Sequence, residues 1–205
     1  MIEAFLFDLG NVLLHFSHER MCRQIAELCG LTPVEIRRLF FESGIQQDVE
    51  RGKLTEQELH SLLERTAGRS LDFDALVEAA SDIFAPNTDI FPVIDSLRSQ
   101  GRRLVILSNT SVSHFRYVRQ KFEQLARFDD YVLSYEVGEM KPADAIFQAA
   151  IAAAGCAPDR CFYTDDIADY VVAARRHGLR AEIFTSVPTL VAHLRGLGVE
   201  LPGIA

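Results

Sequence analysis

The chain has 205 residues, 48% of them hydrophobic and 24% charged, with a formal net charge of −8. This composition is typical of one globular domain, or of one domain with a small second one. The acidic balance argues against nucleic acid as the main partner. No segment approaches the roughly 18 consecutive apolar residues of a membrane span, and the first residues lack the basic start of a signal peptide. We therefore expect a cytoplasmic protein without a membrane partner.

The four cysteines are Cys22, Cys29, Cys156 and Cys161. None lies in a CxxC pair or in a spacing that suits zinc, so we expect reduced, inert thiols. Cys22 and Cys29 lie seven residues apart in a helical pattern, which predicts that both belong to one buried helix face.

Strand-like and helical segments alternate along the first residues and the second half of the chain. Short apolar runs bounded by polar loops predict buried parallel strands at 4–8, 103–107, 130–134, 161–164 and 181–184. Helices are predicted between and after them, at 89–100, 111–125, 142–154, 167–177 and 187–196. Pro142 suits the first position of its helix. This alternation predicts an α/β fold, a doubly wound parallel sheet with helices on both faces.

The segment 16–86 shows no convincing strand and reads as helical throughout. Capping boxes at 32–35 and 55–58 begin two helices, and further helices fit 18–28 and 72–84. We expect a small all-helical cap at 16–86, with hinges near 15–17 and 85–89, inserted into a core domain formed by 1–15 and 87–205. Such a cap would cover the carboxyl ends of the strands, where open α/β sheets bind ligands.

Polar groups follow the first two strands of this predicted core. Asp8 and Gly10 come after the first strand, where a carboxylate is costly unless something neutralises it. Ser108 and Asn109 come after the second, where a hydroxyl and free N–H groups can hold a phosphate. Taken alone, Asp8 could simply cap a turn and Ser108 could simply cap a helix.

Two further polar clusters follow the next strands. Lys141 precedes a helix and can direct its ammonium into an anionic site, although a surface lysine is the simpler interpretation. Asp165 and Asp166 are adjacent at a strand end, where two carboxylates repel each other and favour a bound cation. Oxygen ligands of this kind suit Mg²⁺, although an acidic surface turn has the same pattern.

Together, in this order and each after a strand, the stretches FDLGNV, LSNT, KPADAIF and DDIADY resemble the four motifs of the haloacid dehalogenase-like (HAD) superfamily. The resemblance spans the whole chain and includes a helical cap after the first motif. It is closest to small bacterial sugar-phosphate (glucose-1-phosphate-type) phosphatases and to the N-terminal phosphatase domain of soluble epoxide hydrolases. It implies a Mg²⁺-dependent hydrolase of a small phosphate ester, acting as a monomer or a homodimer.

The resemblance also implies roles for single residues. Asp8 would be the nucleophile that forms an aspartyl-phosphate. Asp166 would be the main Mg²⁺ ligand, together with Asp8 and the carbonyl of Gly10, and Asp165 would be a further ligand or a base behind them. Three residues would bind the transferring group: Ser108 and Asn109 would hold its oxygens, and Lys141 would bridge it to the nucleophile.

The sequence departs from the phosphatase pattern at two positions. Most phosphatases of the superfamily carry a second Asp two residues after the nucleophile, as the acid that protonates the leaving oxygen. Here that position is Gly10, as it is in close relatives with FDLGNV, so the change alone does not imply an inactive site. Placed acids of this kind are worth roughly 10²–10⁴-fold in rate, so a slower enzyme or a good leaving group is expected. Tyr170 stands where the resembling sequences have Asn, and Asp169 beside it is a partial substitute.

Other polar residues have no assigned partner in the sequence. Gln46, Gln47, Glu50 and Arg51 lie together in the cap and predict either a solvated turn or a loop that contacts a sugar or carboxylate. Three histidines, His15, His18 and His114, lie near hinges or site loops. Each is interpreted as exposed or satisfied, with the role of the missing acid as the alternative.

Two other functions stay open on the sequence. A 2-haloacid dehalogenase also lacks the second Asp, but it needs no metal, and an acidic pair at 165–166 argues against it. A binding or regulatory protein of the same fold, without turnover, would explain Gly10 and Tyr170. It would not explain the retention of Asp8, Ser108, Lys141 and Asp166.

Overall fold

The computed structural model describes residues 1–204 and contains a parallel sheet of five strands with a separate two-stranded sheet. The strands are β1 Ala4–Phe7, β2 Leu14–Phe16, β3 Phe84–Pro86, β4 Arg103–Ser108, β5 Asp130–Leu133, β6 Cys161–Asp165 and β7 Arg180–Ile183. The large sheet has the order β5-β4-β1-β6-β7, and all of its neighbouring pairs are parallel. Each of the five strands predicted for the core is present, with its ends within one residue of the prediction, so the predicted α/β fold is confirmed.

Eleven α-helices surround and connect these strands in the part of the chain that the structure describes. They are α1 His18–Cys29, α2 Pro33–Arg37, α3 Ile45–Glu50, α4 Glu56–Ala67, α5 Phe73–Ser81, α6 Phe91–Ser99, α7 Val112–Lys121, α8 Ser134–Val137, α9 Asp144–Ala154, α10 Ala168–Arg176 and α11 Val187–Gly196. A π-helical segment, Arg38–Glu42, follows α2, and short 3₁₀ turns occur at Thr88–Ile90, Glu123–Arg127 and Pro158–Arg160. No helix within 1–204 is long and apolar enough to cross a membrane.

One detail of the helix prediction is wrong. Pro142 does not begin α9, which starts at Asp144 with Ala143 as its N-cap. The N–H of Ala143 donates to the carbonyl of Met140 at 2.8 Å, and the N–H of Lys141 donates to a side chain of another loop. Because these bonds hold 140–143 as a turn, the proline lies before the helix.

Strand β1 lies at the centre of the large sheet and is buried on both faces. Phe5 and Phe7 point into one apolar layer, and Ala4 and Leu6 point into the other, as the alternation of side chains along a strand requires. β1 pairs with β4 on one side and β6 on the other, so that Phe7 has both Ile106 and Thr164 as neighbours. The loops after these three strands therefore meet at one edge.

The segment predicted as the cap, 16–86, forms its own apolar cluster, separate from the two layers of the sheet. Cys22 and Cys29 both lie in it, as predicted, and both capping boxes are formed, at Thr32 and Thr55. The prediction that this segment holds no strand is wrong at its ends, where β2 and β3 pair antiparallel. Three-residue strands are too short to show a period of two, and they pair because the chain leaves and re-enters the core at one place.

Two helical pieces of this segment were also missed, namely α3 and the π-helical segment. The end of α3 contacts α8 of the core, which brings the cap over the carboxyl edge of the sheet. The division into a core of 1–15 with 87–205 and a cap of 16–86 remains our proposal.

Candidate active site

Polar side chains from four loops meet at the carboxyl edge of β1, β4 and β6. Asp8 follows β1, Ser108 ends β4, and Asp165 ends β6 with Asp166 behind it. Because β1 lies between the other two strands, these loops are neighbours, which is how parallel sheets build a ligand site. Asp8, Ser108 and Asp165 are all buried, at 7%, 2% and 0% exposure.

Lys141 reaches this edge from the loop before α9 and is itself only 2% exposed. Its Nζ donates to Asp8 Oδ1 at 2.7 Å, to Asp165 Oδ2 at 2.7 Å and to the Leu107 carbonyl at 3.1 Å. The side chain of Asn109 fixes the loop, accepting from the backbone N–H of Lys141 at 2.8 Å and donating to its carbonyl at 3.1 Å. The buried ammonium thus holds two strand-end carboxylates together.

One ammonium between two carboxylates leaves one negative charge uncompensated. Burial raises the pKa of Asp8 to about 7; Lys141 opposes this rise, and the charge of Asp165 adds to it. Burial lowers the pKa of Lys141, but Asp8 and Asp165 outweigh it and raise that pKa to about 12. Lys141 therefore stays charged at neutral pH, and Asp8 is only partly ionised there unless a further cation lies beside it.

Asp166, the second acidic residue of the pair, faces the same site as Asp8, but its surroundings differ. Oxygens of Asp8, Asp165 and Asp166 lie within 4.8 Å of one another. Asp166 is half-buried, and its Oδ2 accepts from Asn11 Nδ2 at 2.9 Å. Three carboxylates at this spacing, with one ammonium to compensate them, leave two negative charges unpaired and fit a small divalent cation such as Mg²⁺.

Asp165 differs from Asp166 because both of its oxygens already have partners. Oδ2 accepts from Lys141 and from the hydroxyl of Tyr163, and Oδ1 accepts from the N–H of Ile167 at 2.8 Å. Burial, followed by the charges of Asp165 and Asp8, raises the pKa of Tyr163 well above its ordinary value, so its hydroxyl remains a donor. These contacts leave both oxygens of Asp165 occupied, and the carboxylate orients Lys141.

Gly10 is required by a close approach of the cap. A Cβ placed on it would lie 2.8 Å from Cε1 of the Phe16 ring, closer than side chains pack. Its φ is not positive; in this loop it is Asn11 that takes the left-handed conformation, at 54°. The aromatic ring of Phe16 thus occupies the space that a side chain at position 10 would need.

The loop after β4 matches the expected anion cradle in part. Ser111, not Ser108, caps α7, accepting from the N–H of His114, so the simple helix-cap interpretation of Ser108 is wrong. Within 1–204, the Ser108 hydroxyl has only a long contact, 3.4 Å, to the Asn109 carbonyl. The N–H of Thr110 is held by Ser134 Oγ at 2.9 Å. Ser108 therefore keeps its hydroxyl available to a ligand.

A cavity of about 260 Å³ opens above these groups, between the sheet edge and the cap. Its lining includes the predicted residues Asp8, Gly10, Asn109, Lys141 and Asp166. It also includes side chains that were missed or left open by the sequence: Asn11, Phe16, His18, Phe41, Gln46, Glu50, Met140, Ile167 and Tyr170. Most of these come from the cap, and only folding of the cap onto the core places them here.

The remaining predicted residues divide between the cavity and its surroundings. Gln46 and Glu50 line the cavity, whereas Gln47 is exposed and Arg51 pairs with Glu139 of the core at 3.6 Å. The solvated-turn interpretation of these four residues is therefore wrong for Gln46 and Glu50. Tyr170 accepts a hydrogen bond from Asn109 Nδ2 at 3.3 Å, which supports the amide that fixes the lysine loop.

The three histidines lie in different places. His15 is exposed and lines a neighbouring cleft rather than the cavity. His114 is buried, with Nε2 3.1 Å from the carbonyl of Ala80, and burial lowers its pKa to about 4. His18 packs between the rings of Phe16 and Phe41, and burial lowers its pKa as well.

The buried charge predicts a stability effect of Asp8→Asn in metal-free protein. Folded Asp8 binds a proton up to about pH 7, whereas the unfolded chain loses it near 3.8, so the free energy of unfolding falls as pH rises through this interval. An Asn at position 8 has no charge at any pH, so its folded state does not lose stability as the pH rises. We expect it to raise the free energy of unfolding by up to about 4 kcal/mol near about pH 8, and to have little effect below about pH 4.

Urea denaturation in a chelator, repeated across this pH range, measures the difference. The matched control is Asp74→Asn, which removes an exposed carboxyl from α5 and should give no pH-dependent change. An Asp8→Asn protein that is no more stable than wild type at any pH would contradict the buried excess charge.

Comparison with known proteins places this geometry in a family. The sequence model of the haloacid dehalogenase-like hydrolases matches residues 2–178. A protein of Mycobacterium tuberculosis (strain CDC 1551 / Oshkosh) that is named a phosphatase is 31% identical, over 98% of each chain. A D-ribitol-5-phosphate phosphatase of Bacteroides thetaiotaomicron is 27% identical, over 81% of this chain and 84% of its own.

Solved structures agree with the sequence comparisons. A HAD-like family hydrolase of Porphyromonas gingivalis superposes with a TM-score of 0.82 at 27% identity, over 95% of this chain and 98% of its own. A HAD family enzyme of Bacteroides thetaiotaomicron, solved as a magnesium complex, superposes with a TM-score of 0.78 at 25% identity, over 90% and 93%. Since the family model covers most of the sequence and one relative shares 31% identity along nearly all of it, the chain belongs to the haloacid dehalogenase-like hydrolases.

Proposed function

We propose that this hydrolase is a Mg²⁺-dependent phosphatase that cleaves a small phosphomonoester through an aspartyl-phosphate on Asp8. The observation that carries the proposal is the buried Lys141 ammonium, bonded to Asp8 and Asp165 beside the exposed edge of Asp166. Phosphoryl transfer depends mainly on positioning and charge neutralisation, and this arrangement supplies both. The names of two relatives, both phosphatases, support it, and so does the magnesium complex of a HAD family enzyme of Bacteroides thetaiotaomicron.

Each residue of the site has a separate role in the first step. Lys141 binds Asp8 Oδ1 and leaves the other oxygen of Asp8 to attack phosphorus. Ser108 Oγ and the N–H of Asn109 hold the equatorial oxygens, and Lys141 neutralises part of the charge that develops there. Covalent catalysis then separates hydrolysis into two displacements, and water releases phosphate from Asp8 in the second.

A divalent cation would be held by Asp8, Asp166 and the carbonyl of Gly10, with Asp165 behind them. When bound, Mg²⁺ supplies the positive charge that lets a carboxylate and a phosphate approach each other. Asn11 orients Asp166 for this task by donating to its Oδ2. The role of the protein is to present these oxygens with few internal contacts, as the half-buried Asp166 shows.

The cavity favours a small polar substrate, and a sugar or polyol phosphate is the class we propose. Its volume of about 260 Å³ suits a compound of that size. The wall opposite Asp8 carries both apolar rings, from Phe16 and Phe41, and polar groups, from Gln46 and Glu50. The D-ribitol-5-phosphate phosphatase among the relatives acts on a substrate of this class.

A 2-haloacid dehalogenase would use the same nucleophile against carbon, and Gly10 is the observation that favours it. The cluster of Asp8, Asp165 and Asp166 argues against it, because three carboxylates at one site favour a bound cation and a dehalogenase needs no metal. Haloacetate therefore serves as the control substrate for the proposal.

We expect the purified protein to release phosphate from members of a phosphomonoester panel only when Mg²⁺ is present, and to release no halide from haloacetate. Asp8→Asn should abolish this turnover, because an amide is nearly the same shape but a far poorer nucleophile. Phosphate release at several Mg²⁺ concentrations measures both. Near wild-type activity of Asp8→Asn would exclude the aspartyl-phosphate, and halide release would favour the dehalogenase. No turnover of any ester would favour a binding protein.

We expect Asp166→Ala to lose most of the Mg²⁺ affinity of the free protein. The carboxylate of Asp166 is the one among the three that lacks a buried ammonium or phenol partner within 1–204, so it remains available to the ion. Calorimetric titration with MgCl₂ measures the affinity, with the exposed Asp74→Ala as a matched control. Equal Mg²⁺ binding by wild type and Asp166→Ala would contradict this assignment.

A further inference from the structure

The proposed reaction needs a proton donor that position 10 cannot supply. The leaving oxygen of an alkyl phosphate becomes a strongly basic alkoxide unless it is protonated as its bond to phosphorus breaks. Gly10 has no side chain, and the Phe16 ring fills the space that one would need. A donor must therefore come from another wall of the same cavity.

The groups on the sheet side of the cavity are already committed. Asp8 is the nucleophile, Lys141 is bonded to two carboxylates, and Asp166 faces the cation position. Tyr170 has its hydroxyl next to Asn109, and burial raises its phenol pKa above the ordinary value. A proton donor needs a proton that is free to transfer and a conjugate base that is weak. None of these four groups has both.

His18 lines the cavity and His114 lines an adjoining pocket, and both are poor donors. His18 and His114 both have a pKa below the ordinary value, because burial disfavours their charged forms. Both are neutral at physiological pH, and a neutral imidazole is a very weak acid. His114 is further bonded to the carbonyl of Ala80.

Glu50 is the remaining acid on the cavity wall, and it lies on the cap side. It ends α3 and lines the cavity together with Asp8, Gly10, Asn109 and Lys141. Gln46, one turn earlier on the helix, donates from Nε2 to Oε1 of Glu50. Within 1–204, Oε2 has no hydrogen-bond partner, so one oxygen of the carboxyl stays free to carry a proton into the cavity.

The surroundings of Glu50 favour its protonated form. Burial raises the pKa of this carboxyl, opposed by the hydrogen bond from Gln46 and by the charges of Lys141 and Arg51. Tyr170 lies close enough for its own pKa to respond to Glu50. A neutral carboxyl also avoids repulsion of an incoming phosphate, which a carboxylate in the same place would cause.

Two contacts fix the end of α3 against the core segment that carries Lys141. Gly52 has a positive φ of 67°, and a Cβ on it would lie 2.7 Å from the carbonyl oxygen of Tyr135 in α8. Arg51 pairs with Glu139, two residues before Lys141. A side chain at position 52 would not fit, so the backbone after Glu50 lies directly against the core. This contact gives the Glu50 carboxyl a defined position above the site.

We infer that Glu50 is the proton donor to the leaving group, an assignment that rests on the proposed phosphatase function. As an oxygen of Asp8 bonds to phosphorus, the bond from phosphorus to the leaving oxygen breaks, and its electron pair stays on that oxygen. The proton of Glu50 transfers to the same oxygen, so the alcohol leaves neutral and Glu50 becomes a carboxylate.

Glu50 acts as an acid in the first step and as a base in the second. The Glu50 carboxylate takes a proton from the water whose oxygen bonds to phosphorus. The bond between phosphorus and Asp8 breaks, and its electron pair returns to the Asp8 carboxylate. Inorganic phosphate leaves, and Glu50 is protonated again for the next cycle.

The test is Glu50→Gln, which keeps the shape and the polar contacts but has no acidic proton. The substrates are 4-nitrophenyl phosphate and phenyl phosphate, a good and a poorer leaving group, with D-ribitol 5-phosphate as an alkyl ester. Because kcat/KM reports the step that releases the alcohol, we expect it to fall by about 10²–10⁴-fold for the poorer leaving groups and to change little for 4-nitrophenyl phosphate. Asp48→Asn, an exposed acid-to-amide change on the same helix, is the matched control and should behave as wild type.

A second measurement separates proton transfer from a structural role. If Glu50→Gln also lacks the base for the second step, 4-nitrophenol should appear in a burst of about one equivalent per enzyme before slow turnover. An equal loss of kcat/KM for all three esters would overturn the inference, and so would a rise in KM for D-ribitol 5-phosphate alone, which would make Glu50 a substrate-binding residue. Failure of wild type on every ester would instead overturn the proposed function.

Rescue gives an independent check on folded protein. Gly10→Asp combined with Phe16→Ala makes room for an acid two residues after the nucleophile. In the Glu50→Gln background this pair should restore kcat/KM on phenyl phosphate relative to 4-nitrophenyl phosphate, with urea denaturation to verify folding. If the restored acid leaves the ratio of the two substrates unchanged, protonation of the leaving group is not what Glu50→Gln removed, and the inference is overturned.

Discussion

The site depends on one buried ammonium, that of Lys141, placed between the carboxylates that end two neighbouring strands. Burying Asp8 and Asp165 side by side would be strongly unfavourable without it, because like charges in a low-dielectric interior repel each other. With it, the two carboxylates and the ammonium still carry one excess negative charge. The protein therefore maintains a site that is locally unfavourable by itself and that the divalent cation we propose beside Asp166 would balance.

The fold provides what this arrangement requires. β1 is the central strand and is paired on both sides, so Asp8 lies between the loops after β4 and β6 and can be approached from both. Lys141 arrives from a different loop, and the Asn109 side chain bonds both its N–H and its carbonyl. Tyr163 and the N–H of Ile167 then hold Asp165 in place. Each catalytic group is thus oriented by a neighbour that is itself buried or fixed.

Much of the fold and of the site could be predicted from the sequence, because the signals lie in short stretches of neighbouring residues. Short apolar runs followed by polar residues indicate buried parallel strands, and the carboxyl ends of such strands converge, so the meeting of Asp8, Ser108 and Asp165 follows from their positions along the chain. The paired strands β2 and β3 were too short to show a period. Glu50 and Phe16 could not be assigned, because their place in the cavity depends on how the cap packs against α8 and on contacts far apart in sequence.

The close contact between Gly10 and the Phe16 ring connects the cap to the chemistry. In the phosphatase pattern that the four motifs resemble, the acid belongs to the core, two residues after the nucleophile. Here an aromatic ring from β2 fills that space, and the acid that we assign belongs to α3 of the cap. Proton donation then requires the cap to lie against the core, at the Gly52 contact and the Arg51–Glu139 pair. Chemistry on a poor leaving group would be coupled to closure, since an open cap would leave Asp8 and the cation in place without the proton that the alkoxide needs.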